Sequence, residues 1–403
     1  MWNFKRIVSF LPREDWIVVG WVLAIKMLLF WFGAISYAVL WDRYITSPHQ
    51  WFAIWDQWDF GYYQKIAEFG YSGTDGSTAF YPLFPWLVRL ATYFSKSYLA
   101  AGLVVSGIAS VVAAILLRRL VRLDYPASVA MRGAWFFLIF PTAYFLHVGY
   151  SEGLFLALAL GSIVAARVER WWVAGVLGGF CWMTRASGAA LVPALAVEAT
   201  HQYWIRRKSF SDGAVSQRLS DQADNALPER GGYNKGGRSS WNLQWLWIAI
   251  VPMGFVVYLL INWSVSGNPF AFVQIRKISF EQSFALPSVG ISQALWALYP
   301  TPREAEMVGV QELCFAALGF ICTIISWIRL RPIYAIWMTA SLVLFTSVNF
   351  LQSIPRYTLT MFPIFILFAL LARNRFWAGV LTVWSLLLFA LFAVLFARGE
   401  WAF

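Results

Sequence analysis

The sequence contains few charged residues and very little cysteine or histidine. Asp, Glu, Lys and Arg together form 13% of the 403 residues, and there are three cysteines and three histidines. The cysteines lie in apolar stretches without metal-ligand spacing, which argues against a disulfide framework and gives no sign of a metal site. A Gly-rich phosphate loop and a nucleotide-sugar fold are also absent from the sequence. A soluble, nucleotide-dependent enzyme is therefore not indicated.

Hydrophobic residues, in contrast, form 60% of the chain, and the mean hydropathy is +0.61. This composition lies outside the range of ordinary soluble proteins. Apolar runs long enough to cross a bilayer recur along the chain. The sequence thus predicts an all-α polytopic membrane protein with a single integral-membrane domain over residues 1–403. The net charge of +11 does not indicate nucleic-acid binding, because the basic residues lie between the apolar runs.

The distribution of Lys and Arg between the runs predicts the membrane topology. About eleven spans are expected, with a cytoplasmic N-terminus and an extracytoplasmic C-terminus, since the basic links alternate with acidic or neutral ones. The run 171–183 is short for a full crossing, so a broken or tilted helix is an alternative there. The predicted spans are residues 16–40, 98–117, 126–147, 149–166, 171–183, 187–205, 241–265, 308–328, 332–350, 357–371 and 376–397.

Three hydrophilic segments separate the predicted spans. Residues 41–97 form a first extracytoplasmic loop, in which the pattern around residues 60–69 predicts a short helix at the membrane surface. Residues 209–240 are rich in Gly, Ser, Asp and Arg, and they predict a disordered cytoplasmic loop. Residues 266–307 form a second extracytoplasmic loop.

The first loop contains Asp56, Asp59, Glu68 and Asp75 among many aromatic residues. Carboxylates at a membrane edge are candidates for a functional site because they are costly to place in hydrocarbon. Asp59 can act as a general base if it lies within hydrogen-bonding reach of a hydroxyl group. Since it precedes a helical pattern, it can equally be a helix cap. Asp56 is a second candidate acid.

Two arginines and one further acid interrupt or border apolar runs. Arg185 and Arg356 each need a carboxylate, phosphate or carbonyl partner if they are buried. They can hold a lipid phosphate, or they can pair with Glu152 or Asp59 in a purely structural role. Glu152 opens a predicted span, where an acid also favours a helix N-terminus. The sequence leaves these alternatives open.

Six segments occur in a recognisable order along the chain. They are WDFGYYQKIAEFGY at residues 58–71, AFYPLFPWLVRL at 79–90, FPTAYFLHVGYSEGLF at 140–155, TRASG at 184–188, GNPFAF at 267–272 and PRY at 355–357. Together they resemble the PIG-V-like mannosyltransferases of the GT-C glycosyltransferase superfamily. One departure is Gln57, because the family often has an arginine immediately before its WD pair.

The resemblance implies a GT-C-type transmembrane bundle with its active site on the extracytoplasmic side. It implies a polyprenyl-phosphate-linked sugar as the donor and a catalytic aspartate in the first outer loop, which matches Asp59. The compact chain favours a bacterial member in the cytoplasmic membrane with its active site facing outward.

The predicted function is an inverting transfer of a sugar, most simply mannose, to an acceptor hydroxyl on a lipid, glycan or protein. Asp59 is the predicted base, and Arg185 and Arg356 are the predicted ligands of the donor phosphate. No cofactor is required, a divalent metal is not indicated, and membrane lipids are the expected surroundings. A transporter or lipid flippase, or a noncatalytic subunit with the GT-C fold, are the alternatives. The predicted substrate-binding residues are Trp58, Tyr62, Tyr71, Phe80, Tyr81, Glu152 and Tyr357.

Overall fold

The computed structural model describes residues 12–41, 44–224, 243–298 and 309–403. Within these ranges the chain is helical, and the one β feature is an isolated bridge between Phe284 and Val348. The α-helices are α1 Arg13–Trp41, α2 Gln50–Ala53, α3 Asp59–Phe69, α4 Leu83–Ser95, α5 Tyr98–Arg122, α6 Ala127–Ile139, α7 Glu152–Arg167, α8 Trp171–Trp182, α9 Leu191–Asp224, α10 Met253–Ser266, α11 Ala271–Ser279, α12 Pro287–Trp296, α13 Gln311–Arg329, α14 Pro332–Thr346, α15 Ile354–Thr360, α16 Pro363–Leu371 and α17 Arg375–Arg398.

The predicted class of all-α integral membrane protein is confirmed, but the count of eleven spans is not. Among the described residues, five helices are long and apolar enough to cross a membrane, or six if one bent pair is a single span. The other apolar helices are shorter, including α6, α8 and α14. The long candidates are α1, α5, residues Leu243–Ser266, α13 and α17.

Two of the predicted spans are interrupted, and proline explains each interruption. The run 126–147 is helical only to Ile139, because Phe140 is extended before Pro141 and a 3₁₀ turn follows at Ala143–Leu146. The run 357–371 is divided between α15 and α16, whose axes differ by 82°. Pro363 begins α16, where its missing N–H costs no helical hydrogen bond.

The predicted loops 209–240 and 266–307 are described only in part, and both contain helices. Helix α9 continues to Asp224 and therefore enters the segment 209–240 that was predicted to be disordered. The remainder of that segment, residues 225–240, lies outside the described residues. Part of the second predicted outer loop, residues 299–307, also lies outside them, and the rest of that loop includes α11 and α12.

The segment from Phe140 to Ser151 connects α6 to α7 and is fully buried. The predicted spans 126–147 and 149–166 instead meet within this segment. Its backbone is held from α5, since the hydroxyl of Ser106 donates to the Tyr150 carbonyl at 2.6 Å and the hydroxyl of Ser110 donates to the Leu146 carbonyl. The central core of the protein therefore includes this connection.

Charged residues from the predicted basic links meet at one end of the bundle. Arg331 makes a two-nitrogen contact with the buried Glu198, at 3.0 and 2.7 Å, and Arg167 pairs with Asp124. Since α7 rises about 1.5 Å per residue, Arg167 lies about 22 Å from Glu152 at the other end of the same helix. The bundle thus has two polar ends, and Glu152 belongs to the end opposite the basic links.

Phe60 of α3 is fully buried between two glycines of other segments, Gly102 of α5 and Gly149. A Cβ atom added at either glycine would overlap the Phe60 ring. These glycines therefore allow the ring beside Asp59 to enter the core, and they fix the position of α3.

Replacing Gly149 with Ala is expected to destabilise the protein by about 1–3 kcal/mol, because the added methyl group overpacks this contact. Thermal unfolding of the detergent-solubilised protein measures the effect. Gly61→Ala is the matched control, since Gly61 lies next to Phe60 with open space around it and is expected to be neutral or stabilising. Equal stability of the two variants would contradict the packing account.

Candidate active site

Asp59 is the first residue of α3, and its side chain points toward an arginine rather than capping the helix. The N-cap position is held by Trp58, whose φ of 51° lies in the left-handed region. The Asp59 side chain is 28% exposed, and its carboxylate accepts a hydrogen bond from Arg356 Nη1 at 2.6 Å. Asp59 thus does not cap the helix, and its role as general base stays a prediction.

Arg356, in the first turn of α15, connects two carboxylates. Its Nη1 donates to Asp59, and its Nε donates to Glu152 Oε1. The guanidinium is buried between the rings of Phe145 and Tyr150, with each ring centroid 4.7 Å from its central carbon. Aromatic faces attract a desolvated cation, so these rings compensate part of the hydration that Arg356 loses.

Glu152 begins α7 and lies between two arginines. It is fully buried, and its Oε1 accepts from both Arg356 and Arg185. Asp59, Arg356, Glu152 and Arg185 therefore form one continuous set of contacts, which we call the ion-pair chain. Its two carboxylates and two guanidinium groups cancel in charge, as burial requires. Among the described residues, Glu152 Oε2 has no hydrogen-bonding partner.

Arg185 is the end of the ion-pair chain opposite Asp59, with 12% of its side chain exposed compared with 28% for Asp59. It sits in extended backbone between α8 and the 3₁₀ turn Ala186–Ala190. Its Nη1 also donates to Ser151 Oγ at 3.1 Å, and its guanidinium lies 5.5 Å from the ring centroid of Tyr357. Tyr357 in turn stacks on Phe345 at 4.7 Å. The predicted residues Arg185 and Tyr357 are thus in contact.

Two tyrosine hydroxyls connect the first loop to the buried segment 140–151. The hydroxyl oxygen of Tyr63 on α3 lies 3.1 Å from Ser151 Oγ, and the Tyr150 hydroxyl donates to the carbonyl of Gln57 at 2.8 Å. Burial, followed by the nearby Asp59 carboxylate, raises the pKa of Tyr63 to about 12. Tyr63 is therefore a neutral hydrogen-bonding group at physiological pH, and it holds the turn of α3 that follows Asp59.

The predicted substrate-binding aromatics divide into separate groups. Tyr62 stacks on Phe80 at 4.7 Å, and the Tyr71 hydroxyl donates to the Phe80 carbonyl at 3.0 Å. Tyr81 stacks instead on Tyr258 of α10 at 4.1 Å. Trp58, which is 48% exposed, contacts Trp401 edge to face at 5.4 Å. Tyr62 is one helical turn from Asp59, so its group is next to the ion-pair chain.

The other acids of the first loop have partners away from the ion-pair chain. Asp56 is exposed and accepts from Gln64 Nε2 at 2.7 Å, and Glu68 is exposed on α3. Asp75 pairs with Lys65 at 3.1 Å. Burial raises the pKa of Asp75, but hydrogen bonds from Ser77 and Lys65 outweigh this effect and lower the pKa below its usual value. Asp56, the predicted second acid, thus lies outside the ion-pair chain.

Sequence reasoning gave no role to Phe145, Tyr150 and Ser151, which surround the two arginines. They belong to the FPTAYFLHVGYSEGLF segment, in which Tyr150 and Ser151 directly precede Glu152, and this position was the signal available for those two. Within the described ranges, no three His, Cys, Asp or Glu side chains are grouped as a metal site would require.

A cavity of about 480 Å³ adjoins the loop that leads to Asp59. It lies between the end of α1, the segment around α2 and the end of α17. Gln57, whose carbonyl is held by Tyr150, is part of its wall. Its polar lining residues are Tyr37, Tyr44, Gln50, Gln57 and Arg398.

A family comparison relates part of the chain to a known enzyme family. The model of the family described as mannosyltransferase (PIG-V) matches residues 39–211, which include Asp59, Glu152 and Arg185. This region of the chain is therefore similar to the PIG-V mannosyltransferases. The match ends before Arg356, so the family model does not cover α15.

The chain is also similar to solved structures at low sequence identity. No curated protein matches the chain. An oligosaccharyltransferase from Archaeoglobus fulgidus, in complex with Zn and sulfate, is 13% identical with a TM-score of 0.42, over 93% of this chain and 52% of that one. ArnT from Cupriavidus metallidurans in the apo state is also 13% identical, with a TM-score of 0.30, over 87% of this chain and 76% of that one. The chain spans about half the length of the oligosaccharyltransferase.

Proposed function

We propose that this PIG-V-type protein transfers mannose from a polyprenyl-phosphate-linked donor to an acceptor hydroxyl at the extracytoplasmic face. The observation that carries the proposal is the ion-pair chain, which joins the candidate base Asp59 to two arginines at one polar end of the bundle. A carboxylate beside guanidinium groups matches a reaction that removes a proton from a hydroxyl and releases a phosphate.

Asp59 serves as the general base in this proposal. As the acceptor oxygen forms its bond to the anomeric carbon, the Asp59 carboxylate takes the hydroxyl proton. The bond between the anomeric carbon and the phosphate oxygen breaks, and its electron pair leaves with the polyprenyl phosphate. A single displacement of this kind inverts the anomeric centre. The partial exposure of Asp59 leaves room for the hydroxyl to approach.

The two arginines have different tasks in the proposal. Arg185 is the more exposed and lies beside the ring of Tyr357, so it is placed to bind the donor phosphate as negative charge develops on it. Arg356 is buried and contacts both carboxylates. It therefore orients Asp59, and its positive charge acts on the site without direct contact with the donor phosphate. The group of Tyr62, Phe80 and Tyr71 offers flat aromatic surface for the sugar.

The acceptor approaches through the cavity beside Gln57. The amide and tyrosine hydroxyl groups that line this cavity suit a hydroxylated molecule. We place the active end outside the membrane because the basic links meet at the opposite end of the bundle. A bacterial cytoplasmic membrane is the setting we propose for this orientation.

Purified protein supplied with radiolabelled polyprenyl-phosphate mannose tests the function. The expected result is enzyme-dependent release of labelled sugar to water or to an added acceptor, and loss of that release with heat-denatured protein. If the intact protein moves the labelled lipid between bilayer leaflets without cleaving it, it is a flippase. If it neither cleaves nor moves the lipid, it is a noncatalytic subunit.

Arg185→Ala is expected to raise the KM for the lipid-linked donor by roughly ten- to a hundred-fold, because the donor phosphate loses one charge-assisted hydrogen bond. Donor titration at fixed acceptor measures the change. Arg276→Ala is a control, since that cation lies on α11 outside the ion-pair chain. An unchanged rate at limiting donor would remove Arg185 from phosphate binding.

A further inference from the structure

Glu312, near the start of α13, is a buried acid that the proposed reaction does not use. Its side chain is fully buried. Oε1 accepts the backbone N–H of Ser353 at 2.7 Å, and Oε2 accepts the backbone N–H of Ile354 at 2.7 Å. Both carboxylate oxygens are thus engaged by the backbone of one short segment, 41 and 42 residues further along the chain.

The segment that Glu312 holds is the start of α15. Its N-cap, Ser353, has a φ of 63°, in the left-handed region that few non-glycine residues occupy. The N–H groups at a helix start have no partner within the helix, and the cap side chain supplies none here. Glu312 supplies that partner from a different helix and so maintains the unusual backbone conformation.

Arg356 follows this segment within the first turn of α15. The same stretch is held from a second side, because the buried Thr142 hydroxyl donates to the Pro355 carbonyl at 2.9 Å. The direction of α15 therefore depends on contacts at residues 353–355. A rotation of this turn would move the Arg356 guanidinium away from Asp59 or Glu152, since both contacts depend on the same side chain.

We propose that Glu312 is a positioning residue for the transfer reaction, and that it acts by holding the first turn of α15 so that Arg356 reaches Asp59 and Glu152 together. This role rests on the proposed function. Glu312 does not touch the reacting groups. It fixes the backbone from which the bridging guanidinium extends, and a misplaced supporting group lowers the rate by disturbing the geometry of the base.

The first test compares Glu312→Gln with wild type and needs no substrate. The amide keeps the size of the side chain but replaces one acceptor oxygen with a donor, so one of the two N–H groups loses its partner. Hydrogen exchange followed by mass spectrometry is expected to be at least several-fold faster in the peptide covering residues 353–360. Ser326→Ala is the matched control, because Ser326 is buried on the same helix and bonds only within it, to Cys322. Unchanged exchange in Glu312→Gln overturns the inference.

The second test measures turnover of polyprenyl-phosphate mannose. Glu312→Gln is expected to lower kcat about ten-fold with little change in donor KM, whereas Ser326→Ala leaves both unchanged. In an Arg356→Lys background, adding Glu312→Gln is expected to cause little further loss, because the two residues act through the same contact. The same fold loss in both backgrounds would mean a general structural role and overturns the positioning role.

The two tests separate the inference from the proposed function. If wild-type protein cleaves no donor but exchange at residues 353–360 is faster in Glu312→Gln, the proposed function fails while the hold on α15 stands. If exchange is faster but kcat is unchanged, Glu312 does not position the reacting groups.

Discussion

Asp59→Asn is expected to lower sugar transfer by roughly 10²-fold or more while the protein still inserts and folds. The amide cannot accept the hydroxyl proton, and general base catalysis contributes at least this factor. The fold is expected to persist because Asp59 is partly exposed and Glu152 still pairs with Arg356. Release of labelled sugar at saturating donor, normalised to folded protein from size-exclusion chromatography, is the measurement.

Two other acids of the first loop serve as controls for that variant. Glu68→Gln changes an exposed acid of the same helix and is expected to transfer sugar at the wild-type rate. Asp56→Asn removes the acid that accepts from Gln64, outside the ion-pair chain, and a small effect is expected. Near-normal transfer by Asp59→Asn would exclude Asp59 as the base, and a larger loss in Asp56→Asn would move the role to Asp56.

Arg356→Lys is expected to lower both turnover and stability, with a turnover loss of roughly 10²-fold. An ammonium group is a single point of charge, so it cannot reach Asp59 and Glu152 from two separate nitrogens as the guanidinium does. Removing one partner of a buried pair costs about 3–5 kcal/mol. Lysine keeps the positive charge, so the loss of unfolding free energy in Arg356→Lys is expected to be smaller than this. Thermal unfolding and kcat are measured on the same preparation.

A variant of a second arginine, Arg331→Lys, distinguishes a loss of stability from a loss of catalysis in Arg356→Lys. Arg331 also contacts a buried carboxylate through two nitrogens, but Glu198 lies at the opposite end of the bundle. Arg331→Lys is thus expected to destabilise the protein to a similar degree and to leave kcat per folded molecule near the wild-type value. If both variants lose turnover equally, Arg356 has no special part in the reaction.

The residues of the ion-pair chain could be predicted from the sequence one at a time, but their partners could not. Asp59, Glu152, Arg185 and Arg356 each attracted notice because ionised groups are rare in apolar segments. Asp59 and Arg356 are 297 residues apart, and Glu152 and Arg356 are 204 apart. No local periodicity relates such distant positions. The residues alone accordingly left carboxylate pairing as an alternative to the predicted phosphate binding for both arginines.

The role of Glu312 could not be predicted from the residues around it in the sequence. It stands in the apolar run VGVQELCFAALGF, where an acid is as unusual as Arg185 is in its own segment. The sequence gives no sign of its partners, because they are backbone N–H groups, which every residue except proline carries. Only the position of α13 against α15 shows that two of those groups face the carboxylate.

The sequence by itself determined that the chain is a membrane protein and where most of its apolar helices lie. It also singled out Asp59 as the candidate base among the acids of the first loop. These properties depend on composition, run length and short motifs, which are local. The tertiary structure decided that α6 ends early, that the α15–α16 region is bent, and that Asp59 meets Arg356. Those outcomes depend on how helices distant in sequence pack, because a buried charge is stable only beside the partner that packing brings to it.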